Sequence, residues 1–143
     1  MLDIAPGIRT AIIDEASISG LLSEWQGEPA VFTRRPTPPD ATGIMVVISE
    51  DIAVNDFDGV DSDRPMLIRD VLVYGDNPDQ YREVEVVAYA IRQLFHRNKA
   101  SITNDEYYII DVVASGPSSA PTSDDEIIGR VVSLTVKLRN KEL

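Results

Sequence analysis

In "IIGRVVSLTVKLR", residues 127–139, Ile128, Val132, Leu134, Val136 and Leu138 fall on one side of an extended chain, with Ser133, Thr135 and Lys137 on the other. A period of two held over that length specifies a strand with one buried face and is incompatible with the 3.6-residue repeat of a helix. Only Arg130 interrupts the apolar side. A sheet face of this kind must be covered, and "DNPDQYREVEVVAYAIRQLFHRN", residues 76–98, supplies a cover. Val84, Val87, Ala88, Ile91, Leu94 and Phe95 follow i, i+3, i+4, i+7 spacing and form one stripe. Asp79 falls in the first turn and Arg92 and Arg97 toward the last, the placement that suits the helix dipole.

Four more segments read as strands. "AVFTRR" (30–35) stops at the prolines Pro36, Pro38 and Pro39. "IMVVISE" (44–50) is apolar on both faces, as an interior strand is. "PMLIRDVLVYG" (65–75) is rich in branched residues and ends at Gly75. In "YYIIDVVAS" (107–115) the even positions Tyr108, Ile110, Val112 and Ala114 are all apolar and are expected to face inward. Residues 3–15 read as a helix, with Asp3 as N-cap, Pro6 in the first turn, and Ile4, Ile8, Ala11 and Ile12 on one face. Ser17 is read as the cap of a second, short helix in "ISGLLSEW". Two stretches read as polar loops: the acidic 51–63 and the Gly/Pro/Ser-rich 116–126. The order α, α, β, β, β, α, β, β implies one α+β domain over residues 1–143. Its expected core is a mainly antiparallel sheet of about five strands, with the long helix packed across one face and a helix at the N-terminus.

Charge and composition narrow the function classes. Thirteen basic against 24 acidic residues give a formal net charge of -11. That balance argues against nucleic-acid binding through a basic face and against docking on anionic lipid. The chain has no cysteine, which removes disulfides, thiolate catalysis and cysteine-bound metal centres. No apolar run reaches the ~20 residues of a membrane-spanning helix, and no signal peptide is apparent, so the expected setting is the cytosol or a soluble assembly.

No catalytic constellation stands out. The one histidine, His96, has no G-x-S-x-G elbow to serve. At the end of a helix it is read as a partner for free carbonyls and the negative end of the dipole. "DFDGVDSD" (56–63) resembles a calcium loop only superficially. With Gly59 at the sixth place of an EF-hand loop, Val54 stands at the first and Pro65 at the twelfth, so the bidentate glutamate is missing. A hydrolase or a metal-dependent enzyme using Asp56, Asp58, Asp61 and His96 is one competing hypothesis. No Walker A or G-x-G-x-x-G cradle is present. Tyr107–Tyr108 is read as strand packing, since a base-stacking platform needs a basic groove around it. No enzyme activity and no cofactor are expected.

The succession of segments resembles the tail-completion, or tail-terminator, proteins of long-tailed bacteriophages and related phage-like particles. The likeness runs from the N-terminal helix and "SISGLLSEW" through "VFTRRPTPPD" and "IMVVISE". "RDVLVYGDNPDQYREVEVVAYAIRQLF" resembles the family's strand-then-helix core, and "YYIIDVVASG…GRVVSLTVKL" its closing hairpin. The resemblance implies a structural virion protein without catalytic residues. Such a protein forms a homo-oligomeric ring, commonly a hexamer, at the head–tail junction. The ring caps the head-proximal end of the tail tube, touches the tube protein and the head-side connector or stopper, and lets DNA through its lumen unbound. Assembly in the host bacterial cytoplasm follows, with no membrane partner. The alternatives are a head-side connector or adaptor, or a small cytosolic protein-binding domain. Interface residues are expected at Arg34 and Arg35, at Asp56, Asp58, Asp61 and Asp63, and at Pro117, Ser118, Ser119 and Pro121. Arginine suits interfacial ion pairs, and pliable loops bridge mismatched partners.

Overall fold

The computed structural model describes residues 3–33, 37–56, 65–119 and 128–141, and for residues 50–56 the backbone alone. Its elements run α1 (Ala5–Asp14), α2 (Ala16–Ser19), β1 (Glu24–Trp25), β2 (Glu28–Pro29), β3 (Val31–Phe32), β4 (Met45–Asp56), β5 (Pro65–Gly75), a 3-10 turn (Pro78–Gln80), α3 (Tyr81–Phe95), β6 (Tyr107–Ser119) and β7 (Ile128–Asn140). Strands β3 to β7 form one sheet in the order β3-β4-β5-β7-β6. Every pairing in it is antiparallel except β3 with β4, which is parallel. The expected α+β class and five-stranded sheet are thus observed.

The inward side of the sheet carries Val46, Ile48, Leu67, Val71, Val73, Val112, Ala114, Val132, Leu134, Val136 and Leu138. Against it α3 buries Val84, Val87, Ala88, Ile91 and Phe95, the stripe the sequence spells out, while Leu94 is half-buried. Removing such a side chain from water is worth roughly 1.5–3 kcal/mol for the larger ones. Ile8 and Ile12 of α1, with Ile4 before it, join the same core, so both long helices lie over one face. Arg130 also points to that face, where its guanidinium pairs with Glu85 of α3. On the opposite face Met45, Val47 and Leu72 are buried outside this core. Phe32 is in register with Val47, and the Trp25 ring meets Phe32 edge-on at 5.5 Å.

Several boundaries differ from the sequence reading. The short second helix is only Ala16–Ser19, with Glu15 rather than Ser17 at the N-cap position and no side-chain capping bond. The chain then turns into the β1–β2 hairpin, with Gln26 and Gly27 both at positive φ, the geometry of a two-residue turn. The stretch 51–56, expected as loop, continues β4 in pairing with β5. Residues 116–119, also expected as loop, continue β6, with Ser118 opposite Val131 and Ser119 opposite Arg130. At the N-terminus Asp3 lies one residue outside the N-cap position, yet its Oδ1 still accepts from the Ala5 N–H at 3.0 Å.

The inward positions of β6 are corrected too. Val112 and Ala114 are buried as expected, but Tyr108 and Ile110 are about half exposed, and Tyr107 and Ile109 pack on the core instead. The register shifts between Ile109 and Asp111. One extra residue in a strand moves everything on one side of it to the other face.

Candidate assembly surfaces

A five-stranded open sheet has two edges, and each is a template for pairing with another chain. The outer edge of β6 is closed at mid-length by the end of α3. His96 is the C-cap of α3, its N–H bonding Arg92 O. Its Nδ1 accepts from the Ala114 N–H at 3.1 Å, which leaves the ring proton on Nε2. Arg97, at φ 57°, donates its N–H to Val112 O at 2.7 Å. Its Nη1 pairs with Asp111 Oδ2 at 2.5 Å. The expectation that His96 serves the helix carbonyls is corrected: Asn98 does that, with Nδ2 donating to Leu94 O. At the other edge, β3 covers only Val46 and Val47 of β4.

Two exposed apolar patches stand elsewhere. Between α2 and α3 lies an open groove of about 720 Å³, lined by Glu15, Ser17, Glu85, Val86, Tyr89, Ala90, Gln93 and Leu94. Val86 and Tyr89 are 49% and 54% exposed. The second patch is Tyr108 with Ile110, on the sheet face turned away from the helices. The Arg139 and Lys141 cations stand 5.2 and 5.3 Å from the centre of the Tyr108 ring. Sequence reading did not find either patch. The signal available for the groove was Val86 and Tyr89 on the polar side of an amphipathic helix; for the strand patch, "YYII" is apolar at every position and marks no outward face.

Four of the ten residues expected to form interfaces are described. Arg34, Arg35, Asp58, Asp61, Asp63 and Pro121 lie outside the described residues. Asp56 is paired with Pro65 where β4 ends and β5 begins, whereas Pro117, Ser118 and Ser119 end β6 beside the start of β7. The registers put these at opposite ends of the sheet, since Met66 faces Lys137 while Val73 faces Arg130. They do not form one site. Among the described residues no group of three or more His, Asp or Glu is placed to hold a metal ion. No described helix is long and apolar enough to cross a membrane.

No family profile and no curated protein matches the sequence. Among solved structures, the fold is similar to a chain in the virion of a native gene transfer agent particle. The TM-score is 0.67, at 14% identity, with 96% of this chain and 93% of that chain covered. At that identity the fold is what the two share.

Proposed function

We propose that this chain is a structural subunit of a phage-like particle: a ring-forming tail terminator that caps the head-proximal end of the tail tube and joins it to the head connector, without enzymatic activity. The observation that carries the reading is the fold shared, along nearly the whole chain, with a component of a gene transfer agent virion. The order of elements that resembles the tail-terminator family points the same way. So do two exposed apolar patches on different faces, because a ring is built by contacts between unlike surfaces that close. Labelling the chain in purified particles and locating it by electron microscopy tests this. Density at the tube's head-proximal end is the expected result. A position within the head connector reassigns the role to an adaptor, and absence from particles overturns it.

A further inference from the structure

The groove between α2 and α3 and the Tyr108–Ile110 ridge differ in kind as well as place. No cation lines the groove: its charged residues are Glu15 and Glu85. Glu85 is engaged by Arg130, so among the described residues Glu15, which accepts from the Ser17 hydroxyl, supplies the groove's unpaired charge. Its apolar lining is Val86, Tyr89, Ala90 and Leu94. The ridge offers the opposite character. Tyr108 and Ile110 are 47% and 48% exposed, and exposed Arg139 and Lys141 flank the ring. Glu106, two residues before Tyr108, already has an interaction of its own. Two basic side chains beside an apolar pair are notable on a chain of net charge -11.

The ridge lies on the sheet face away from the helices, because its neighbours Tyr107 and Ile109 pack on the core. The groove lies in the helix layer. The two cannot meet within one molecule, but they match between molecules: apolar lining with apolar ridge, acidic charge with basic flank. We propose that the α2–α3 groove receives the Tyr108–Ile110 ridge of a second copy of this chain, with that copy's Arg139 and Lys141 beside Glu15. The proposal rests on the ring reading and names its subunit contact. It is heterologous, using one surface from each partner, so every open assembly keeps one unused groove and one unused ridge until a ring closes. The apolar residues supply the affinity and the charges set the register, since rim ion pairs add little energy of their own.

The absence of cysteine makes cross-linking clean. Val86→Cys and Ile110→Cys are both exposed changes that leave the core intact. Under mild oxidation the double variant is expected to give a ladder of covalent multimers ending in a closed species, with most of the chain linked. Each single variant is expected to stay monomeric on a non-reducing gel, and an equimolar mixture of the two to stop at dimer. Light scattering on the wild-type chain runs alongside. If the wild type assembles and the double variant does not link, or if a single variant links to itself, the contact is wrong while the ring stands. Linkage in particles only to a different protein overturns the second copy as occupant. A wild type that is monomeric at every concentration, with no ladder, removes both.

Discussion

Gly7 sits where α1 comes closest to the segment after α3. A Cβ there would lie 2.5 Å from Thr103 O and 3.1 Å from Ile102 Cγ2. Two effects compete in Gly7→Ala. Helix propensity favours alanine by about 1 kcal/mol, and overpacking against rigid backbone costs roughly 1–3 kcal/mol. The backbone oxygen cannot rotate aside, so the clash wins. Thermal unfolding should show a net loss of up to about 2 kcal/mol, and a raised Tm would contradict this. Arg130 poses a different question. It is the one charge on the inward side of its strand, and its break in the alternation was legible. Its partner was not, because Glu85 is 45 residues away. Arg130→Leu restores the pattern but strands Glu85, and should cost about 1 kcal/mol because both side chains remain partly solvated. Adding Glu85→Leu should return most of it, as a paired charge and a paired apolar contact are near parity. Denaturant melts of the two variants check the sign: a double variant less stable than the single would refute it.

At the scale of elements, β5, α3 and β7 were legible because their patterns are long and one-sided. The extensions of β4 and β6 were not. Asp51–Asp56 runs straight into the acidic stretch 57–63, Gly116–Ser119 has the composition of a turn, and both extend strands because β5 and β7 offer long partners. Pairing overrides local propensity there. The shift between Ile109 and Asp111 was hidden for another reason: "YYII" is apolar at every position, so no period marks which face is which. The closure of the β6 edge was equally invisible, since it joins His96 and Arg97 to Ala114 and Val112 across the fold. It has a measurable consequence. His96→Ala removes the acceptor of the Ala114 N–H, at a cost of about 1 kcal/mol. Amide exchange at residue 114 should accelerate while the amides of α3's buried turns keep their protection. Unchanged exchange there would mean the imidazole does not guard the edge. A catalytic role for His96 would instead require an activity that this variant loses, and none is expected.

For the whole molecule the dominant fact is charge. In the ring proposed above, six copies carrying -11 each would total -66, a charge that would let DNA pass a lumen without being held. The same charge opposes assembly, and magnitudes decide how salt acts. A chain of 143 residues has a radius of gyration of roughly 14 Å, hence a sphere radius near ~19 Å and neighbouring centres about 37 Å apart. Two bodies of -11 at that separation repel by about 4 kcal/mol in ~0.01 M salt, where the screening length is ~30 Å, and by several-fold less at ~0.15 M, where it is ~8 Å and shorter than either body's radius. Opposing this, exposed ion pairs between Glu15 and Arg139 or Lys141 contribute about 0.2–1 kcal/mol each. Loss of repulsion therefore outweighs loss of attraction. Assembly measured by sedimentation or light scattering should strengthen as salt rises from ~0.01 to ~0.15 M and then level off. The apolar contact of Val86 and Tyr89 with Tyr108 and Ile110, which salt does not screen, should persist above that range. A steady fall in assembly across the same salt series would mean that charge pairs, not the apolar ridge, hold the copies together, and the contact would have to be sought on a more polar surface.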